Sequence, residues 1–597
     1  MTEYQPPLED IRFSLNALAD MDDISALPGY EDATPDLIDA ILEEAGKLGR
    51  EVLAPLNQSG DQQGSKLENG VVRTPDGFKQ AYQLFTESGW GSIQFDPEFG
   101  GQGLPWTLAT AVSEIWHSAN MSFALCPLLT QGAVEVISAY ASDDLKNKYL
   151  PHMISGRWNG TMNLTEPQAG SDLSRVKTKA RPEGDHYRIH GQKIFITYGD
   201  HDMTDNIVHM VLARTPDAPE GIKGISLFLV PKFILDDNGE PGPRNDLKCV
   251  SLEHKLGINA SPTAVMSYGD NDGAVGYLIG EENKGIQYMF TMMNNARLAV
   301  GLEGVGIGER AYQLALNYAK ERIQSREAGS DSKDAAPIIR HPDIKRMLLV
   351  MKSETEAARG LAYFVASRLD MAKRHPDPEK RQQAQAFADL LTPIVKAWST
   401  DNGIEISSLG VQIHGGMGYI EETGAAQHYR DARIASIYEG TNGIQANDLI
   451  GRKVGREQGH TMKQFIALCR DLSADLKASD NAGLKALHAP FDDALSKLET
   501  TTSWVVDKVS TDEPAVLAGA VPYLKLCGLI AGAWVLGRGA VKAQAMLDDG
   551  AENTAFLKGR ILSARFFSDH MLQQAESLGQ TIRKGADSIL MAEENLF

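Results

Sequence analysis

From Gly160 to about residue 278 the apolar residues of this chain fall in short alternating runs, and on both sides they recur at helical spacing. That change of period constrains the fold more than any other feature. Met162–Leu164, Val176–Ala180, Tyr187–Thr197, Ile207–Ala213, Ile225–Val230 and Thr263–Tyr268 read as strands. Turn residues separate them, as in Glu183-Gly184-Asp185 and Asp236-Asp237-Asn238-Gly239. An antiparallel barrel or sandwich fits these runs. Upstream, Thr34-Pro35 is an N-cap followed by proline at the first helical position, and Leu37, Ile38, Ile41, Leu42, Ala45, Leu48, Val52 and Leu53 follow as one helical face up to Pro55. Further helical patterns cover Gly77–Ser88, Leu108–Ala119, Ala124–Ala139 and Ser142–Ile154, and downstream Gln287–Gln324, Leu468–Leu476, Phe491–Leu498, Ala515–Leu536 and Ala540–Leu547. The expected class is α+β in four domains: a helical one over 1–158, a β domain over 159–279, a helical bundle over 280–455 and a further helical domain over 456–597.

Composition removes some functions. With 58 Lys and Arg against 79 Asp and Glu the formal net charge is −21, the opposite of the basic footprint that nonspecific nucleic-acid binding needs. A few local arginines still suffice for a phosphate. Cys126, Cys249, Cys469 and Cys527 lie far apart without C-x-x-C or zinc spacing, so they are expected to be reduced and structural, with no metal site. Met1-Thr2-Glu3-Tyr4-Gln5-Pro6-Pro7 has neither a basic n-region nor an apolar core, which sets the expectation of a cytoplasmic chain. The longest apolar run, Leu526–Leu536, is shorter than the roughly 20 residues of a membrane span, so no transmembrane segment is expected. It reads as a buried helix in which Gly528-x-x-x-Gly532 permits close contact with a neighbour.

Chemistry concentrates in Arg430–Gln445. One carboxylate, Glu439, stands between the apolar residues Ile434, Ile437 and Tyr438 and the turn Gly440-Thr441-Asn442-Gly443. Poor solvation disfavours the charged form and makes a better base near neutral pH. The two glycines let a ligand approach the backbone. A helix-capping glutamate before a turn is the competing reading. Met162–Asp172 passes from a strand into a loop whose hydroxyls and exposed backbone suit a polar ring edge or a pyrophosphate. Gly304-x-Gly306-x-Gly308 has the wrong spacing, and no preceding strand, for a dinucleotide fold, so it reads as close helix packing. The glycines of Val411–Tyr419 again allow backbone approach, and His414 among them reads as structural.

R-D-A-R-I-x-x-I-Y-E-G-T-N-x-I-Q, here Arg430–Gln445, and L-T-E-P-x-A-G-S-D, here Leu164–Asp172, closely resemble signatures of acyl-CoA dehydrogenases. The loop Pro97–Leu104 resembles that family's P-E-x-G-G-x-G-L, and the similarity spans nearly the whole chain. The resemblance implies FAD-dependent α,β-dehydrogenation of an acyl-CoA to a trans-2-enoyl-CoA, with Glu439 as the base that removes the α-proton. It implies FAD contacts from Met162, Leu164, Thr165, Gly170, Ser171, Phe195, Thr197, Gln324, Gln412, Gly415, Gly416 and Thr441, and from Arg322 toward a neighbouring subunit. Ser171, Asn294, Arg297, Tyr438 and Gly440 are the implied acyl-CoA contacts. Many relatives carry Trp where this chain has Phe195; the phenyl ring keeps a stacking surface without the indole N–H, or is simply a core residue of an alternating strand. Gln324-Ser325-Arg326 departs from the family's E-R-x-x-F-G, and Arg322 also reads as a solvated helix-end charge. Within the family the full-length pattern is most similar to the bacterial branch that converts 3-(methylthio)propanoyl-CoA to 3-(methylthio)acryloyl-CoA in dimethylsulfoniopropionate degradation. Straight-chain fatty acyl-CoA dehydrogenases and acyl-CoA oxidases are the alternatives. The DNA-binding flavoprotein branch is disfavoured by the −21 charge. An electron-transfer flavoprotein as acceptor and a homodimer complete the implied picture.

Overall fold

The structure, a computed structural model, describes residues 4–597; Met1–Glu3, the start of the stretch read above for a leader, lie outside the described residues. The chain forms two compact units. One comprises Glu44–Leu104 and Ala119–Ala299 and carries the large sheet; the other comprises the described residues up to Glu43, Pro105–Ser118 and Val300–Phe597 and is helical.

In the sheet unit a small hairpin, β1 (Lys66–Glu68) and β2 (Val71–Arg73), precedes the helices Phe78–Glu87, Met121–Tyr140 and Asp143–Ile154. Ser142 starts the last of these, its hydroxyl accepting from Leu145 N at 3.4 Å. The remaining strands are β3 (Trp158–Asn163), β4 (Lys179–Glu183), β5 (His186–Thr197), β6 (Asn206–Ala213), β7 (Ser226–Pro231), β8 (Phe233–Leu235), β9 (Pro241–Arg244), β10 (Leu247–Leu252), β11 (Thr263–Tyr268) and β12 (Ala274–Leu278). The main sheet runs β10-β11-β5-β12-β7-β6-β3, with β4 on β5 and β8-β9 apart. It departs from the expected all-antiparallel arrangement because β3 and β6 are parallel. Its central strands are buried on both faces. Val208, Met210 and Leu212 of β6, with Leu227 and Leu229 of β7, join a core with Val134, Ile137, Tyr149 and Leu150 of the helices. The alternate residues Val211, Ala213, Phe228 and Val230 join a second core with Ile189, Ala264 and Met266.

Pro55, expected to end a helix, instead opens the helix Pro55–Gln63 at its first position, after a short π-helical turn over Gly49–Leu53.

The helical unit is built on the part of the helix Gly285–Glu321 from Val300 onward, on Pro342–Arg374 and on Pro378–His414, followed by His460–Ala478, Ala482–Lys508, Ala520–Asp548, Thr554–Phe566 and Gln574–Lys584. Small residues set the spacing. A Cβ at Gly304 would meet Ser399 O at 2.2 Å. The Trp398 indole lies across the Gly528/Gly532 face, where a Cβ at Gly528 would come within 2.4 Å of the ring. Among the described residues two helices are, by length and composition, long and apolar enough to cross a membrane, Met121–Tyr140 and Ala520–Asp548, and 83% and 78% of their most apolar windows is buried by the fold itself. In the interior Arg359 donates from Nε to Glu114 Oε1 at 2.8 Å and from Nη2 to Glu309 Oε2 at 2.7 Å. The chain's beginning packs on its end: Arg560 Nη1 donates to Asp10 Oδ1 at 3.0 Å, and the Phe13 and Phe556 rings meet edge to face at 5.7 Å.

Candidate functional site

In the sheet unit, β3 points Thr161 and Asn163 inward and leaves Met162 partly exposed on the other face. The inward residues are satisfied as a chain: Tyr268 Oη donates to Asn163 Oδ1 at 2.9 Å, Asn163 Nδ2 to Thr161 Oγ1 at 2.6 Å, and Thr161 meets His209 Nδ1 at 3.0 Å. The loop that follows is fixed by Glu166. Its buried carboxylate accepts from Lys177 N at 2.7 Å, Thr178 N at 3.0 Å, Thr178 Oγ1 at 2.6 Å, Gln168 Nε2 at 2.5 Å and Lys193 Nζ at 2.8 Å. These bonds explain a difference from the expected strand at Val176–Ala180. The N–H groups of Lys177 and Thr178 serve a carboxylate, and the ladder of β4 begins only at Lys179.

Lys193 also donates to Leu164 O at 3.0 Å, and Ile194 N to Thr165 O at 2.9 Å, so the two flavin segments named from the sequence are bound to each other. Burial raises Glu166, but Lys193 and the hydrogen bonds outweigh it and hold the carboxyl below the usual range. Burial pushes Lys193 down to about 8, against the pull of Glu166. Removing one member of such a pair strands the other charge inside, at about 3–5 kcal/mol. Lys193→Met is therefore expected to lower both thermal stability and the flavin retained per chain through gel filtration, and Glu166→Gln/Lys193→Met to recover part of both. Wild-type flavin content in Lys193→Met would refute this.

Phe195 is not a core residue of an alternating strand. The register of β5 on β11 slips between Ala264 and Met266, Phe195 takes φ +58°, and its ring is 58% exposed. The bulge turns a flat aromatic face outward. Thr165 and Thr197 are partly exposed, Ser171 is exposed, and nothing stands within 4 Å of where a Cβ of Gly170 would be. An outward ring, two accessible threonines and an unobstructed loop backbone fit a flat, polar-edged ring such as a flavin. Asn294 is exposed, whereas Arg297 is buried and donates to Asn294 Oδ1 at 3.4 Å.

In the helical unit, Glu439 is partly buried and left-handed at φ +54°, followed by Gly440 at +81°. A non-glycine residue there costs about 1–3 kcal/mol and persists only where its surroundings fix it. Gln445 Nε2 donates to Glu439 O at 3.2 Å and Gly440 O at 3.3 Å, and Lys396 Nζ donates to Gly440 O and Asn442 Oδ1, each at 2.9 Å. Thr441 caps the next helix by accepting from Ile444 N at 3.2 Å. The Tyr438 hydroxyl donates to Glu303. The apolar cover expected around Glu439 is partial, since Ile437 is exposed. Sequence reasoning missed Lys396 and Glu303. The available signal was a single charge in an otherwise apolar helical run, Pro393-Ile394-Val395-Lys396-Ala397-Trp398 and Val300-Gly301-Leu302-Glu303-Gly304-Val305.

Gln412, Gly415 and Gly416 are exposed, and neither glycine has an atom within 4 Å of a virtual Cβ, a cradle open to a diphosphate. His414 is buried, its Nδ1 2.7 Å from Gly410 O and its ring stacked on Tyr318. Arg322 and Gln324 are exposed just past the helix end, their backbone paired with Ala336 and Ile338. Among the described residues no cluster of His, Cys, Asp and Glu is arranged for a metal ion.

Comparison with known proteins gives one consistent answer. Residues 38–157, 161–270 and 283–454 match the N-terminal, middle and C-terminal domains of acyl-CoA dehydrogenases, and 460–593 match a domain described as acetyl-CoA dehydrogenase C-terminal like. A 3-methylmercaptopropionyl-CoA dehydrogenase of Ruegeria pomeroyi is 49% identical over 99% of both chains. A butyryl-CoA dehydrogenase of Syntrophomonas wolfei is 36% identical over 94% of both. Among solved structures, an acyl-CoA dehydrogenase of Bacillus anthracis complexed with FAD shares the fold at a TM-score of 0.73 and 22% identity, over 96% of this chain and 91% of that one.

Proposed function

This chain belongs to the acyl-CoA dehydrogenase family, and on that premise we propose that it oxidises 3-(methylthio)propanoyl-CoA to 3-(methylthio)acryloyl-CoA with Glu439 as the base. The observation that carries the substrate is the 49% identity, over 99% of both chains, to a relative named for that thioester. The family's cofactor is FAD, which when bound accepts the hydride leaving the β-carbon. The protein's own part is proton removal and charge stabilisation. Glu439 takes the α-proton, and its backbone N–H donates to the thioester oxygen as negative charge develops there. Gly440 leaves the backbone bare for the approach, and Lys396 and Gln445 hold the turn's carbonyls so that the geometry exists before substrate arrives.

Met162, Leu164, Thr165, Gly170, Ser171, Phe195 and Thr197 hold the flavin on this reading, and Ser171, Asn294, Arg297, Tyr438 and Gly440 the acyl-CoA. The protein works as a homodimer in which Arg322 reaches the partner's cofactor, while Gln324, Gln412, Gly415, Gly416 and Thr441 are further FAD contacts. Supporting this, Ile323, Met417, Ile420 and an 85%-exposed Tyr419 lie in the same two segments, apolar surface suited to a second copy. Electrons leave through an electron-transfer flavoprotein.

The test is anaerobic addition of CoA thioesters to the flavin-loaded protein while its visible absorbance is followed. Bleaching by 3-(methylthio)propanoyl-CoA is expected to exceed that by butanoyl-, octanoyl- and palmitoyl-CoA by roughly tenfold or more in kcat/KM. Preference for a fatty acyl-CoA would overturn the substrate; no bleaching by any thioester would overturn the dehydrogenase reaction. Peroxide formation in air would mark an oxidase.

A further inference from the structure

Glu303 sits on the helix Gly285–Glu321 between Leu302 and Gly304 and is fully buried. Its Oε2 accepts from the Tyr438 hydroxyl, and its Oε1 has no hydrogen-bond partner. Tyr438 is the residue immediately before Glu439, and both are on the turn that Lys396 and Gln445 hold by its carbonyls. Tyr438 and Glu439 face Glu303 from that turn, and Lys396 faces it from the helix Pro378–His414. Asp401, on the same helix, binds Asn442 Nδ2 at 2.7 Å. Asp431 acts on Tyr438 from the helix Ala425–Ala432, and His117 packs against Gly306 from the helix Trp106–Ala119.

We propose that Glu303 is a positioning residue for the base: through the Tyr438 hydroxyl it fixes the left-handed turn that carries Glu439, and while it keeps its proton the turn holds one negative charge and not two. The inference rests on Glu439 being the base. A neutral carboxyl accepts from Tyr438 on one oxygen and leaves the proton on the carboxyl itself, so no uncompensated charge is buried. Burial above all raises Glu303, the charge on Glu439 adds to it, Tyr438 and Lys396 pull it down, and the balance stands at about 8, so at neutral pH the group is protonated. Above that value two carboxylates repel across one buried corner, and the turn loses its geometry.

The experiment compares flavin-loaded wild type, Glu303→Gln, Glu303→Ala and Tyr438→Phe across pH. Glu303→Gln keeps the acceptor oxygen and cannot ionise. It is expected to keep kcat within about threefold of wild type at pH 7 and to lack the fall in kcat that wild type shows near pH 8. Glu303→Ala loses the tether and is expected to lose about tenfold to a hundredfold in kcat, with KM changed far less. If Glu303→Ala does not fold, Tyr438→Phe carries the same expectation for kcat. A readout apart from turnover is thermal stability. A carboxyl raised on folding contributes stability below its ordinary value of 4.5 and loses it as pH rises to about 8, so wild type should lose melting temperature across that window relative to Glu303→Gln. Wild-type kcat in both Glu303→Ala and Tyr438→Phe, or a wild-type pH profile in Glu303→Gln, would overturn the proposal. Glu439→Gln measured alongside separates the two readings: normal turnover there removes the base assignment whatever Glu303 does, and an inactive Glu439→Gln beside unaffected Glu303 variants removes only this inference.

Discussion

Glu439→Gln is expected to fold, retain flavin and bind acyl-CoA, yet turn over roughly 10²–10⁴-fold more slowly, the usual worth of a positioned general base. The substitution is nearly isosteric. The bonds that fix the turn, from Gln445 to Glu439 O and Gly440 O and from Lys396 to Gly440 O, go to backbone carbonyls and survive it. The left-handed φ of +54° is as accessible to glutamine as to glutamate. The loss should therefore fall on kcat and kcat/KM equally, with little change in flavin content or melting temperature. Single-turnover bleaching under anaerobic conditions isolates that step from reoxidation. Bleaching at the wild-type rate would refute Glu439 as the base.

Arg359→Met is expected to lower stability by about 3–5 kcal/mol, the largest structural effect anticipated for a single side chain here. Arg359, Glu114 and Glu309 are all buried, and Tyr363 Oη donates to the second oxygen of Glu114 at 2.7 Å. Methionine fills similar volume but leaves two carboxylates facing each other inside the bundle. The half-unfolding temperature at fixed scan rate should drop by roughly 5 °C or more. Arg359→Lys should recover little, since an ammonium cannot reproduce the forked contact to two partners. Glu114→Gln/Arg359→Met should recover part of the loss by removing one stranded charge. An unchanged transition in Arg359→Met would show that the cluster contributes nothing.

The long helices were legible because their apolar residues keep one period for many turns; Ser142–Ile154 even announces its own cap. Short strands were not. The stretch Pro241–Arg244 has no apolar residue to reveal a period, and Ala274–Leu278 is too brief for one. The strand expected from Val176 was misplaced because Glu166, ten residues upstream in sequence, claims the amides of Lys177 and Thr178. At the site, motif residues could be named by chemistry alone. Glu303 and Lys396 could not, because their roles depend on contacts 135 and 44 residues away along the chain. Phe195 shows a third kind of limit: a one-residue slip between β5 and β11 reverses the face of a side chain, and nothing in the local pattern announces the slip.

The contact of Asp10 with Arg560 spans 550 residues. On a ribosome adding about 5–20 residues per second, the helix Leu8–Ala17 waits roughly half a minute to two minutes for its partner. The continuous stretch Ala119–Ala299 emerges complete long before that, with most of its sheet able to close on its own residues. The helical unit has no such freedom, because it draws on both ends of the chain. Its Phe13 and Trp398 surfaces stay uncovered until Phe556 and the Gly528–Gly532 turn have been made, so the interval before residue 556 is synthesised is also the one in which this chain most needs protection from aggregation.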